Sequence, residues 1–112
     1  MKRLFFLSVC VILVALVSGC VQDEGQGGQP VAEQASAACI AICESSQADL
    51  SDGPCLSDDN PDWNIGDWVC DVAHDPRQPV DNLPQNQCRE FREGRASHFV
   101  EVDPDCEFIK AV

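Results

Sequence analysis

Apolar and polar positions alternate along this chain in several distinct rhythms, and each predicts a different element. Leu4 to Val17 is apolar throughout except for Ser8. Val21 to about Ala35 then carries Gly25, Gly27, Gly28 and Pro30 among glutamines and acidic residues. Such a composition buries too little apolar area to offset the entropy of ordering, and it predicts a flexible linker. From Ser36 to Leu50, Cys39, Ile42, Cys43 and Leu50 recur at helical spacing, and Asp52-Gly53-Pro54 stops the pattern. Ser51 to Asp67 is rich in Asp, Asn, Pro and Gly without a period, which predicts loop. Trp68-Val69-Cys70-Asp71-Val72 alternates as a strand, with Trp68, Cys70 and Val72 on one side. Asp75-Pro76 and Gln78-Pro79 predict an extended connection, because proline disfavours the helical region for the residue before it. Asn82 is placed to cap a second helix, with Pro84 in its first turn, Cys88 and Phe91 as its inner stripe and Gly94 at its end. A second strand, His98 to Val102, sets His98, Val100 and Val102 opposite Phe99 and Glu101. Cys106, Phe108 and Ile109 are expected to pin the terminus to the core. The predicted fold class is α+β: a small disulfide-rich domain over residues 36–112, with two helices and a short antiparallel strand pair.

Lys2 and Arg3 precede the apolar run, and Val17-Ser18-Gly19-Cys20 ends it. A basic start, a short apolar stretch and small residues at its end mark a secretory signal. A membrane span needs about 20 apolar residues, and this run is shorter. With a small-residue box ending in cysteine, the segment resembles the signal peptide of a prokaryotic lipoprotein. That resemblance implies a signal peptide over residues 1–19, cleavage before Cys20 and lipid on its thiol, with residues 20–35 as the lipidated cysteine and flexible acidic linker. Plain secretion and a retained anchor helix are the alternatives. One acyl chain holds a protein to a membrane only marginally, whereas two or more hold it stably.

Cysteine parity supports the same reading. Of eight cysteines, Cys10 leaves with the signal peptide, and lipid on Cys20 leaves an even set: Cys39, Cys43, Cys55, Cys70, Cys88 and Cys106. An odd cysteine in an exported protein would need its own explanation. Zinc sites usually show repeated close pairs, and only Cys39 and Cys43 lie close together. No Cys-x-x-Cys redox motif is present, so six disulfide cysteines are expected and no cofactor. If Cys39 and Cys43 sit one helical turn apart they face other elements. Many pairings remain open, and the expected one is Cys39–Cys88, Cys70–Cys106 and Cys43–Cys55.

Charge narrows the partners. The whole chain carries a formal −12, and without Lys2 and Arg3 it retains five basic residues against 19 acidic, a formal −14. Nucleic-acid affinity rests largely on Lys and Arg contacts with phosphates, so a nucleic-acid partner is excluded. An anionic membrane repels such a domain, so its attachment is assigned to the lipid on Cys20. The negative surface serves solubility, or a cation or an extracytoplasmic protein partner. Arg89, Arg92 and Arg95 are expected on one helix face beside Glu90 and Glu93, paired as Arg89 with Glu93, with a small-anion site as the alternative.

Two constellations carry candidate chemistry. Asp58 to Asp67 has oxygen side chains at alternate positions, as a calcium loop does. Trp63 and Val69, however, occupy the places of the turn glycine and the bidentate glutamate, so an Asx-turn loop is expected instead. His74 and His98 are the two histidines of the chain, one beside each predicted strand. An antiparallel pairing would bring them together as an acid–base pair, or as metal ligands with Asp71, Asp75 or Glu101. No nucleophile elbow or glycine-rich phosphate loop is present. Trp68 to His74, Pro76-Arg77-Gln78, Val80-Asp81-Asn82 and His98 to Val102 together resemble small cysteine-rich secreted proteins predicted from archaeal genomes. The resemblance covers most of Cys39 to Ile109 and carries over no active residues. The functional expectation is a lipid-anchored module on the extracytoplasmic face that binds a ligand, with Trp63, Trp68 and Phe99 as candidate contacts. The rival expectation is a small exported hydrolase using His74 and His98.

Overall fold

The structure is a computed structural model and describes residues 30–112. The predicted signal peptide and Cys20 lie outside the described residues, as does most of the predicted linker. Helix α1 (Val31–Glu44) is followed by strands β1 (Trp68–Val72), β2 (His98–Val102) and β3 (Phe108–Ala111), with a one-turn helix α2 (Arg89–Arg92) between β1 and β2. Mixed helix and strand content is as predicted, but the elements differ from expectation at both ends of α1, in the second helix and in the sheet.

Helix α1 begins at Val31, upstream of the expected Ser36, so the end of the predicted linker is helical. Averaging over Val21 to Ala35 hid the change in composition after Pro30, where Val-Ala-Glu-Gln-Ala contains no glycine or proline. Extended Pro30 lends its carbonyl to Glu33 and Gln34, and Glu33 favours the positive end of the helix dipole. The helix closes at Ser45, so Leu50 falls instead in a short 3₁₀ turn, Leu50–Asp52.

The predicted second helix is largely replaced by 3₁₀ turns at Pro79–Asn82 and Pro84–Asn86, leaving only α2. Leu83 is extended (ψ 135°) because Pro84 follows it, and this breaks the helical run. Gly94, at φ +83°, ends α2 where expected.

Strands β1 and β2 pair in parallel, Trp68 with His98 through Val72 with Val102, not antiparallel as predicted. Parallel strands need a crossover of a dozen or more residues, and residues 73–97 supply one. The antiparallel pair is β2 with β3, which makes β2 the centre of a three-stranded sheet ordered β1-β2-β3. Asp103 shapes that hairpin, its side chain accepting from the Asp105 and Glu107 amides. On the outer side of β1, Leu56 N–H donates to the Cys70 carbonyl and Val72 N–H to that of Pro54.

Alternation gives the sheet two faces. Toward α1 lie Cys70 and Val72 of β1 with Val100 and Val102 of β2, packed on Ala35, Cys39 and Cys43 and all essentially inaccessible to solvent. The opposite face buries a smaller cluster, Val69, Cys88 and Ala96, with Phe99 packed against it.

The three disulfides are Cys39–Cys70, Cys43–Cys106 and Cys55–Cys88. All six predicted cysteines are paired, and none of the three expected pairings is the observed one. Alternation along β1 turns Cys70 toward α1, where it takes Cys39, while the β2–β3 hairpin carries Cys106 to Cys43. Cys55, beside β1, then meets Cys88 on the other side of the sheet.

Candidate functional site

The face of the sheet away from α1 holds a cleft lined by aromatic and charged side chains. Val69 and Asp71 of β1, Phe99 and Glu101 of β2 and Lys110 of β3 form its floor, and Arg77, Gln87, Cys88, Phe91 and Arg92 of the crossover form its walls. Its volume is about 310 Å³, at the small end of the roughly 300 to 1,000 Å³ typical of ligand sites.

The apolar part of the wall is aromatic. Phe91 meets Phe99 edge to face with ring centroids 5.2 Å apart, the geometry that aromatic quadrupoles favour. Lys110 Nζ stands over the Phe99 ring, 5.8 Å from its centroid.

The polar part is built around three buried carboxyls, Glu101, Asp81 and Asp71. Glu101 is 6 % exposed and accepts from Arg77 Nη1 at 2.6 Å. Arg77 is held in place by Asn82 Oδ1 on its Nε and by the Asp81 carbonyl on Nη2. Asp81 is itself buried beneath this loop, where its carboxylate accepts from the backbone amides of Gln78 and His74 and lies 2.9 Å from His74 Nδ1. Burial raises the Asp81 pKa, but these hydrogen bonds outweigh it and hold the group below the ordinary carboxylate value. Gly53 (φ +71°) is required alongside, because a Cβ there would lie 2.5 Å from Asp81 Oδ1.

Asp71 differs from both. It is 8 % exposed, and its Oδ1 is a buried oxygen without a hydrogen-bond partner. Burial, reinforced by the nearby Glu101 and Asp81 charges and only partly offset by Arg77, pushes its pKa up to about 8. At neutral pH it is mostly a neutral carboxylic acid on the floor of the cleft, able to donate a hydrogen bond as well as accept one.

Other sequence candidates fall elsewhere. In the parallel register His98 sits beside Trp68, at one end of β1, and His74 lies beyond Val72 at the other. That strand alone spans about 13 Å, so the two imidazoles do not converge. His98 stacks on Trp68 with centroids 4.6 Å apart, and its Nε2 lies 3.6 Å from Asp67 Oδ2. Trp63 donates from Nε1 to the Trp68 carbonyl, and both indoles pack on the α1 side. Of the three aromatic contacts expected from sequence, only Phe99 lines the cleft.

In the acidic loop, Asp58 Oδ2 accepts from the Arg89 amide and Asn60 Oδ1 from the Asp62 amide. The second is the expected local Asx-type bond, whereas the first is a long-range contact that ties the loop to the start of α2. Cys55, Asp58 and Cys88 bring three atoms of metal-ligating kind within 4.8 Å, but the two sulfurs are joined to each other. The arginine row does not form the expected helix face, because α2 has a single turn. Arg89 pairs with Asp59, Arg95 with Glu90 and Glu93, and Arg92 turns to the cleft.

Sequence reasoning passed over Arg77, Phe91, Arg92 and Lys110 as a set, and treated Asp71 and Glu101 only as companions of the histidines. The available signal was an acidic residue in each of two largely apolar strands, both opposite the valine and cysteine side. Comparison of the chain with protein-family models, curated proteins and solved structures finds no match. The chemistry of the cleft therefore rests on its own geometry: an aromatic slot, a neutral acid on the floor and cations around it.

Proposed function

We propose that this protein is a membrane-tethered extracytoplasmic lipoprotein whose disulfide-stapled domain is a binding module, with the cleft on the open sheet face as its ligand site. The observation that carries this reading is the cleft itself, where a buried carboxyl oxygen without a partner lies beside an aromatic wall. Small sites of this kind, mostly apolar with a few convergent polar groups, are where ligands bind. Three disulfides in a domain this small suit an oxidising compartment. With those six cysteines paired, Cys20 is the sulfur that remains for lipid once the signal peptide is removed. No helix of the described residues is long and apolar enough to cross a membrane.

The hydrolase alternative loses its support, because His74 and His98 lie at opposite ends of a parallel strand pair and share no position for a substrate. The residues lining the cleft include no hydroxyl and no free thiol.

Two measurements test the proposal. Intact mass of the native membrane-associated protein should report a chain starting at an acylated Cys20 with six oxidised cysteines. An unprocessed chain with reduced thiols overturns the tether. For the module, amide shifts induced by small aromatic fragments should cluster on Val69 to Asp71, Phe99 to Glu101 and Lys110. Shifts confined to other parts of the domain overturn the assignment of the site.

A further inference from the structure

The ligand class follows from how the few cations of an acidic chain are used. Among the described residues there are five basic side chains, and acidic residues greatly outnumber them. Arg77, Arg89 and Arg95 are each engaged in ion pairs, with Glu101, with Asp59 and with Glu90 and Glu93 respectively. Arg92 and Lys110 form no ion pair among the described residues, despite the surplus of carboxylates, and both line the same cleft. They come from separate elements, α2 and β3, and converge only in the folded domain. Within the cleft, Arg77 neutralises Glu101, and Asp71 keeps its proton at neutral pH. The side chains lining the cleft therefore sum to about +2, with the Asp81 carboxylate buried behind them, inside a domain that is strongly negative elsewhere.

Resting on the binding-module reading, we infer that the cleft receives a small amphipathic monoanion, a carboxylate on an apolar or aromatic body. Its charged end lies between Arg92 and Lys110, and its body lies against Phe91, Phe99 and Val69. The O–H of protonated Asp71 suits a ligand oxygen, since an acid and an anion can share a proton where two anions would repel. The cleft volume limits the body to about one ring or a short chain. The acidic surface around the cleft opposes dianions and polyanions, which selects for a single charge.

The test uses the full chain in detergent and three probes that share one skeleton and differ in the head group: phenylacetate, 2-phenylethylammonium and 2-phenylethanol. Phenylacetate should shift the amides of Val69 to Asp71, Phe99 to Glu101 and Lys110, and should bind about tenfold or more tightly than either of the others, as two partly exposed charge contacts would give. An Arg92→Gln, Lys110→Gln double variant, with both changes at exposed positions, should erase that preference and leave the spectrum otherwise native. Tighter binding of 2-phenylethylammonium in the same cleft overturns the anion assignment while leaving the binding site in place. Equal binding of all three does the same. If none of the probes moves a cleft resonance at millimolar concentration, both the ligand class and the site itself are overturned.

Discussion

The two faces of the sheet are made by alternate residues of the same strands, yet they carry opposite chemistry. On the α1 side, Cys70, Val72, Val100 and Val102 are sealed under a helix and joined to it or to its end by Cys39–Cys70 and Cys43–Cys106. One residue along, Val69, Asp71, Phe99 and Glu101 face a cleft with charges at its floor and rim. The first face is where the domain gets its stability. The second retains what stability alone would not select, a buried acid with an unmet oxygen. A domain this small cannot build two full cores, since short chains bury only about 60 % of their unfolded surface. Concentrating apolar burial and two of the three disulfides on one face leaves the other free to keep costly polar groups for a ligand.

The largest expected effect tests the sealed face. Each disulfide contributes about 2 to 4 kcal/mol, so three together rival the whole net stability of a typical domain, about 5 to 15 kcal/mol. Full reduction with dithiothreitol should abolish the near-UV circular dichroism of the tryptophans at room temperature. Its retention would show that the helix-covered core holds without its cross-links.

Next in size is the pH dependence placed on the open face by Asp71. The folded protein keeps the Asp71 proton up to about pH 8, while the unfolded chain loses it near pH 4. Between those values the folded state binds the additional proton, so the contribution is complete below about pH 4 and declines as pH rises toward 8. The groups acting on it are Glu101 and Asp81, which raise its pKa, and Arg77, which lowers it. Asp71→Asn should therefore stabilise the protein at pH 9 relative to pH 5 by on the order of 2 to 5 kcal/mol. Urea denaturation at the two pH values measures this, and an unchanged difference between variant and parent would remove Asp71 from the account.

Neighbouring residues on β2 sharpen the contrast further. Val100→Ala, in the sealed core, should cost about 2 kcal/mol in urea unfolding and leave phenylacetate binding intact. Phe99→Ala should cost about 1 kcal/mol, because Phe99 is only partly buried, and should abolish that binding. The reverse pattern would mean that the roles of the faces have been misassigned. The smallest stability effect belongs to Arg92→Gln, expected within about 0.5 kcal/mol of the parent because the side chain is exposed and without an ion pair. A melting loss well beyond that would make Arg92 a structural rather than a ligand-facing residue.

Local pattern alone determined much of this. Two strands were legible because alternation records which side of a strand is buried, and the use of six cysteines as disulfides followed from parity and the absence of metal-type spacing. Gly94 ended its helix as expected because only local backbone geometry was at stake. What local pattern does not carry is the direction in which one strand meets another. Alternation in β1 and β2 reads the same whether they run parallel or antiparallel, and that single choice decided the rest. It sent His74 and His98 to opposite ends and left the antiparallel edge of β2 to β3. It also gathered Arg77, Arg92 and Lys110, scattered through the sequence, around Asp71 and Glu101. Binding sites of this kind depend on convergence in space, and convergence is a property of the topology that long-range packing selects.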